Sequence, residues 1–199
     1  MFLDGQAILY LFNRLSPFLI VSYFVLNSIL QLDYKGLIYI SGLLLASTIA
    51  KLFGDYYFSN SISKTIPNEN CNLYTLGVGP DGYMNHARFS KVPLSLVVFS
   101  YSFAYLLFFI ITSNLLSVNF ITVLLFIYLI IMEFYFLNKN NCSNVIAGLI
   151  GCIIGTATGI IWAFIIKTSN NADLYYYNGI NNASYCTIAK ERKYKCTFK

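Results

Sequence analysis

A chain of 199 residues that is 57% hydrophobic and only 11% charged does not match a soluble domain, whose surface would then carry large, aggregating apolar patches. The net charge of +5 lies largely in the last ten residues, where a basic cluster suggests anionic lipid head groups. The composition therefore predicts a polytopic membrane protein, and it gives no sign of nucleic-acid binding.

Apolar runs fill most of the chain. Each is about as long as a helix must be to cross roughly 30 Å of hydrocarbon at about 1.5 Å per residue. The runs are continuous rather than alternating, which indicates helices and not barrel strands. In chain order they are Leu15–Leu32, Leu37–Phe53, Val92–Thr112, Val118–Leu137 and Val145–Ile166. We therefore predict an all-α membrane protein with about five transmembrane helices and one ordered polar loop.

The runs define two regions. Residues 1–166 form a transmembrane helical domain with a long loop at 54–91, and residues 167–199 form a polar, basic tail. The segment Gly5–Asn13 reads as an interfacial lead-in to the first span. It is not a signal peptide, because Arg14 and Pro17 interrupt the first run and no small-residue cleavage site follows.

The long polar loop is where a site would normally lie. It contains Asp81 and His86, the single histidine of the chain, so an enzyme with a non-standard site is one hypothesis. One histidine without a second ligand pattern is a weak signal, and a hydrogen-bonded loop histidine is the preferred interpretation. We predict no metal and no cofactor.

Small residues recur along the last run. Gly148, Gly151, Gly155 and Gly159 are spaced so that another helix approaches backbone to backbone. Packing against the chain's own helices is the preferred interpretation. A contact face for another subunit is the alternative.

Two ionisable residues fall near span ends on one membrane face. Lys51 and Glu133 either pair or extend separately to the interface, and separate extension is preferred.

The tail leaves the orientation open. Cys186 and Cys196 bridge only if the tail is lumenal, and reduced thiols are the alternative. Asn182 opens a glycosylation acceptor under the same condition. The excess of Lys and Arg favours a cytoplasmic tail instead.

The stretch from Ser143 to Gly148 resembles the third motif of the type-2 phosphatidate phosphatase (lipid phosphate phosphatase) superfamily. The family pattern is Lys, six residues, Arg-Pro; then Pro-Ser-Gly-His; then Ser-Arg, five residues, His, three residues, Asp. The matching stretches lie at run ends on one face, in this order. The aligned positions are Lys51, Phe58 and Ser59 for the first motif, Pro93 and Leu96 for the second, and Glu133, Phe134, Asn140 and Asn144 for the third.

The resemblance implies a phosphatase-like scaffold without the phosphatase chemistry. In the family, one His attacks phosphorus, an Asp orients it, a second His protonates the leaving oxygen, and Lys and Arg bind the phosphate. Asn140 and Leu96 stand at the His positions, and Phe58 and Phe134 at the Arg positions. None of these side chains supplies a nucleophile, a proton donor or a cation.

We therefore expect a catalytically inactive, lipid-phosphatase-like membrane protein that acts as a structural or accessory subunit. The alternative is a lipid-binding protein whose Lys51 and Lys139 contact a head group. The expected partners are membrane lipids and proteins of a membrane complex, with no nucleic acid. An endomembrane and an internal membrane of a large virus fit equally well.

Overall fold

The computed structural model describes residues 5–57, 92–139, 143–169, 185–188 and 194–197. Within them, one helix corresponds to each predicted run. The helices are α1 (Gly5–Gln31), α2 (Lys35–Tyr57), α3 (Leu94–Thr112), α4 (Phe120–Lys139) and α5 (Val145–Thr168). The all-α class is confirmed.

Four of these helices, α2 to α5, are long and apolar enough to cross a membrane. The first helix differs from the others, because the predicted lead-in and the first apolar run form a single helix of 27 residues that contains Pro17. Its apolar part is Leu15–Gln31. The second helix continues to Tyr57, four residues beyond the predicted end of that run at Phe53.

The turn after α1 is closed by backbone hydrogen bonds. Leu32 has a φ of 53°, its N–H bonds to the Ile29 carbonyl, and the N–H of Asp33 bonds to the Ser28 carbonyl. This is the Schellman arrangement, in which a left-handed residue satisfies the last helical carbonyls. The chain reverses tightly here, so α1 and α2 are antiparallel neighbours.

The turn after α3 repeats this arrangement with Asn114, whose φ is 54°. Its N–H bonds to the Ile111 carbonyl, and the N–H of Leu115 bonds to the Ile110 carbonyl. Asn tolerates the left-handed region better than most residues. The end of the third helix is therefore closed in the same way as the end of the first.

The third helix lies at the centre of the bundle. Of its most apolar 18-residue window, 61% is buried, against 22–33% in the other three spanning helices. A helix that is apolar on all sides is expected at such a position. Its small polar residues Ser100 and Ser102 are also buried, and their hydroxyls donate to carbonyls of the preceding turn, those of Leu96 and Val98.

The glycine-lined face of α5 packs on α3. The two helices run parallel, since Gly151, Gly155 and Gly159 meet successively later residues at and after the start of α3. A Cβ atom at Gly159 would lie 2.7 Å from the Tyr101 carbonyl oxygen, so the backbones touch directly. In this structure the glycine stripe packs against the chain's own helices, which leaves that face no room for another subunit.

The second helix is fastened to α3 and α5 by interhelical hydrogen bonds. The Tyr39 and Ser102 hydroxyls are 2.5 Å apart, and the Tyr101 hydroxyl donates to the Tyr39 carbonyl at 3.1 Å. Trp162 Nε1 of α5 donates to the Ile38 carbonyl at 3.0 Å. Lipid offers no competing partner, so such bonds hold helices in register.

The outer faces of the bundle are apolar. Leu30, Ile121 and Ile153 are exposed by 81%, 80% and 66% respectively. Exposed apolar surface on this scale is stable in hydrocarbon and not in water. The fold is that of a multi-pass integral membrane protein.

The tail contains a two-stranded antiparallel hairpin that the sequence analysis does not predict. Its strands are β1 (Tyr185–Ile188) and β2 (Tyr194–Thr197). The register pairs Tyr185 with Thr197, Cys186 with Cys196, Thr187 with Lys195 and Ile188 with Tyr194.

Candidate functional site

The positions that align with the phosphatase motifs gather at one end of the bundle. This end is formed by the last turns of α2 and α4 and the first turns of α3 and α5. Pro93 caps α3, Glu133 and Phe134 lie in the second half of α4, and Asn144 caps α5. Three aligned positions, Phe58, Ser59 and Asn140, lie outside the described residues.

Residues of α3, α4 and α5 pack against one another at this end. A Cβ atom built at Gly148 would lie 2.9 Å from Cε1 of Phe134 and 3.3 Å from Cδ1 of Leu96. Leu96 is fully buried. The positions aligned with a phosphatase His and Arg are thus in contact with each other through apolar packing.

Glu133 is the buried carboxylate of this region, with 2% of the residue exposed. The Ser95 hydroxyl of α3 donates to Glu133 Oε1 at 2.5 Å. A buried carboxylate needs such hydrogen bonds to offset its loss of hydration. Glu133 is therefore tied into the α3–α4 contact, and the prediction that it extends to the interface is wrong.

Lys51 is exposed near the end of α2. The extension of Lys51 toward head groups stays a prediction. Lys139, in the last turn of α4, is also exposed. Its Nζ atom lies 5.7 Å from the centre of the Tyr135 ring, within the range of a cation–π interaction.

A shallow depression opens between the last turn of α4 and the first turn of α5. Its empty volume is about 190 Å³ when the adjoining open solvent is included. Apolar and amide or hydroxyl side chains line it, and none of these lining residues is charged: Leu96, Phe134, Leu137, Asn138, Ser143, Asn144, Val145 and Gly148. Its chemistry suits hydrogen bonding to a neutral polar group and offers no cation for a phosphate.

Asn144 has a structural role at the rim of this depression. Its Oδ1 atom accepts a hydrogen bond from the Ile146 N–H at 3.3 Å. Asn is among the best residues for this helix-capping position. The cap accounts for the polar residue before the glycine-rich helix without any catalytic role.

In the described part of the chain, no cluster of three or more His, Cys, Asp or Glu residues could hold a metal ion. Asp81, His86 and the remainder of the predicted loop lie outside the described residues. Cys152 lies within α5 as a free thiol.

Sequence reasoning missed the groups that join the helices. The sequence does not predict the hydrogen bond between Ser95 and Glu133, because one serine in an apolar run has many possible partners. The sequence also does not indicate that Tyr39, Tyr101 and Trp162 form interhelical hydrogen bonds, since aromatic residues occur throughout the chain. Only the position of a residue on its helix face reveals these contacts.

The architecture and this site define an all-α, multi-pass integral membrane protein with a shallow, uncharged depression at one end of its bundle. Comparison of the chain with protein families, characterised proteins and solved structures finds no match.

Proposed function

We propose that this chain is a non-catalytic membrane protein on a lipid-phosphatase-like scaffold, serving as a structural or accessory subunit of a membrane assembly. One observation carries the proposal. At the bundle end where phosphatase chemistry would take place, Leu96, Phe134 and Gly148 pack together and Glu133 is bound by Ser95.

Phosphoryl transfer has requirements that these residues do not meet. It needs a nucleophile and a proton donor that titrate in a useful range, and cations where negative charge gathers. The packed side chains are apolar, and the buried carboxylate of Glu133 would repel a phosphate. The interactions at this end serve helix packing instead.

The proposed assembly lies in an endomembrane or in the internal membrane of a large virus, with membrane lipids and other proteins as partners. Because the glycine face of α5 is covered by α3, contacts with partners would use the lipid-facing sides of the bundle. The fourth helix, whose apolar window is 22% buried, offers the most such surface among α2 to α5.

Two measurements on the intact protein test this function. After purification from its native membrane in nanodiscs, mass spectrometry should find partner proteins at fixed stoichiometry. Assays with phosphatidate, lysophosphatidate and isoprenyl phosphates should detect no hydrolysis. Hydrolysis that disappears in Lys51→Ala or His86→Ala would overturn the proposal.

A second candidate function is lipid binding at the same end. The exposed Lys51 and Lys139 lie toward the membrane end that also carries the depression. Basic residues near a membrane surface attract anionic head groups. The cations would hold the head group while apolar side chains contact the acyl chains.

Mass spectrometry of lipids that co-purify distinguishes this candidate. Retention of one anionic lipid class that falls in Lys51→Ala and Lys139→Ala, without partner proteins, would favour it. Lys167→Ala is the matched control, because Lys167 is exposed at the opposite end of the bundle, with Nζ 5.7 Å from the Phe108 ring centre. Equal retention in all three variants would exclude it.

A further inference from the structure

We infer that Cys186 and Cys196 form a disulfide that closes the tail hairpin, and that the tail therefore lies in an oxidising compartment. The register of the hairpin carries the inference. It places Cys186 of β1 directly opposite Cys196 of β2. No feature of the sequence required the two cysteines to be cross-strand partners.

The backbone geometry of an antiparallel ladder suits a disulfide. Directly opposed residues lie on the same face, with Cα atoms about 4.5 or 5.5 Å apart depending on the type of pair. Disulfides need a Cα separation of about 4.4–6.8 Å. Either type of pair therefore satisfies the distance, and a shift of the register by one residue would remove the opposition.

The hairpin is small enough that a disulfide would contribute to its stability. Each strand has four residues, and the sheet has two strands. An isolated two-stranded hairpin is marginally stable in water. A covalent link between the strands restricts the unfolded chain and so favours the paired state.

The reaction is a thiol–disulfide exchange with a protein disulfide. One cysteine thiolate attacks the protein disulfide and forms a mixed disulfide, and the second cysteine then attacks that bond. The two tail thiols lose two electrons and two protons and become one S–S bond. The protein disulfide takes up these two electrons and two protons and is released as a dithiol.

A second feature of the tail agrees with this compartment. The glycosylation acceptor Asn182-Ala183-Ser184 immediately precedes β1, and such acceptors are modified on the same side of the membrane on which disulfides persist. Apart from Lys167 in the last turn of α5, the basic residues of the tail do not oppose this orientation, because Lys190 and the later cations lie beyond the roughly 15–20 residues from a span end over which the positive-inside rule acts.

The test uses the full-length protein in its native membrane. Free thiols are blocked with N-ethylmaleimide before lysis, and the protein is treated with an N-glycosidase and digested with trypsin without reductant. Trypsin cleaves after Lys190 and Lys195, so the cysteines fall in the separate peptides 168–190 and 196–199. We expect these peptides as one linked species, lighter than their sum by two hydrogen atoms and separated by a reductant.

Two variants supply the controls. Cys186→Ser should leave Cys196 fully labelled by maleimide, and Cys152→Ser, which changes the thiol inside α5, should leave the linked species intact. Maleimide on both tail cysteines of the unaltered protein, or a link from either to another cysteine of the chain, would overturn the inference.

Discussion

Gly155 of α5 lies directly against Ser100 of α3. A Cβ atom built at Gly155 would fall 2.1 Å from Ser100 Oγ and 2.7 Å from the Val97 carbonyl oxygen. A serine hydroxyl can rotate away, whereas a backbone carbonyl at the bundle centre cannot. The approach of two helices to backbone contact therefore depends on the missing side chain at this position.

Substitutions along the glycine stripe should differ in cost. We expect Gly155→Ala and Gly155→Leu to destabilise the protein by about 1–3 kcal/mol or more, because the core is overpacked. Gly151→Ala should cost less, since its nearest neighbour is a Val92 methyl group at 3.1 Å. Unfolding in SDS titrations measures these differences.

Ala157→Leu is the matched control, because Ala157 lies on the exposed face of the same helix. Equal tolerance of Leu at 155 and 157 would show that packing of α5 on α3 does not depend on the missing side chain at Gly155.

Ser95→Ala should weaken the junction of α3 and α4. The substitution removes a donor to the buried Glu133 carboxylate, and we expect a loss of about 1–2 kcal/mol of unfolding free energy. Ser41→Ala is the control, since its exposed hydroxyl bonds only to the Ile38 carbonyl of its own helix. Equal stability of the two variants in SDS titrations would show that the Ser95 hydroxyl contributes nothing.

Gly42→Ala should disturb the packing around the indole ring of Trp162, the single tryptophan of the chain. A Cβ atom at Gly42 would lie 2.1 Å from the Tyr101 hydroxyl and 2.5 Å from Trp162 Cδ1. We expect a shift in tryptophan emission together with lower stability, because the indole must move. Gly36→Ala meets Ser28 at 2.6 Å but lies away from the indole, so it should lower stability and leave the emission unchanged.

Asn144 should behave as a helix cap. We expect Asn144→Ala to cost about 0.5–2 kcal/mol, and Asn144→Asp to retain the stability because Asp caps equally well. Comparison of the three proteins by SDS titration tests this. A large loss in Asn144→Asp would indicate that the amide group has another partner.

The Asp33–Lys35 contact should make stability depend on acidic pH. Partial burial raises the pKa of the Asp33 carboxyl, but hydrogen bonds from Lys35 and Ser28 and the charge of Lys35 outweigh it, so the pKa lies below 3.8. The carboxylate is 3.0 Å from Lys35 Nζ. Because the pKa of Asp33 is lower in the folded state, the contribution of this contact to the free energy of unfolding is complete above pH 3.8. It is lost as the pH falls through the lowered pKa of the folded protein.

The comparison of the parent protein with Asp33→Asn measures this contribution. The parent should be more stable at neutral pH, and the difference should vanish in acid below pH 3.8. Asp55→Asn, at the exposed end of α2, controls for a general effect of removing a carboxylate. A difference that is constant with pH would contradict the assignment.

The sequence by itself determined the class of this protein, because a run of apolar residues long enough to cross a bilayer has few alternatives to a helix. For α2 to α5 the predicted bounds agree with the structure to within a few residues, as at Val145 and Thr112, since charges and turn residues mark the ends of apolar runs. The first helix begins at Gly5 rather than at Leu15. The glycine stripe was also visible, because small residues at helical spacing have one physical use in lipid.

Only the tertiary structure decided which helix meets that stripe, and that the partner is α3 of the same chain. It also decided that Glu133 is buried against Ser95 and that Cys186 pairs with Cys196 in the register of the tail hairpin. Local sequence does not encode these contacts, because they depend on how each helix or strand is rotated and shifted against its neighbour. In lipid, apolar burial favours no single arrangement, so close packing and a few interhelical hydrogen bonds select it.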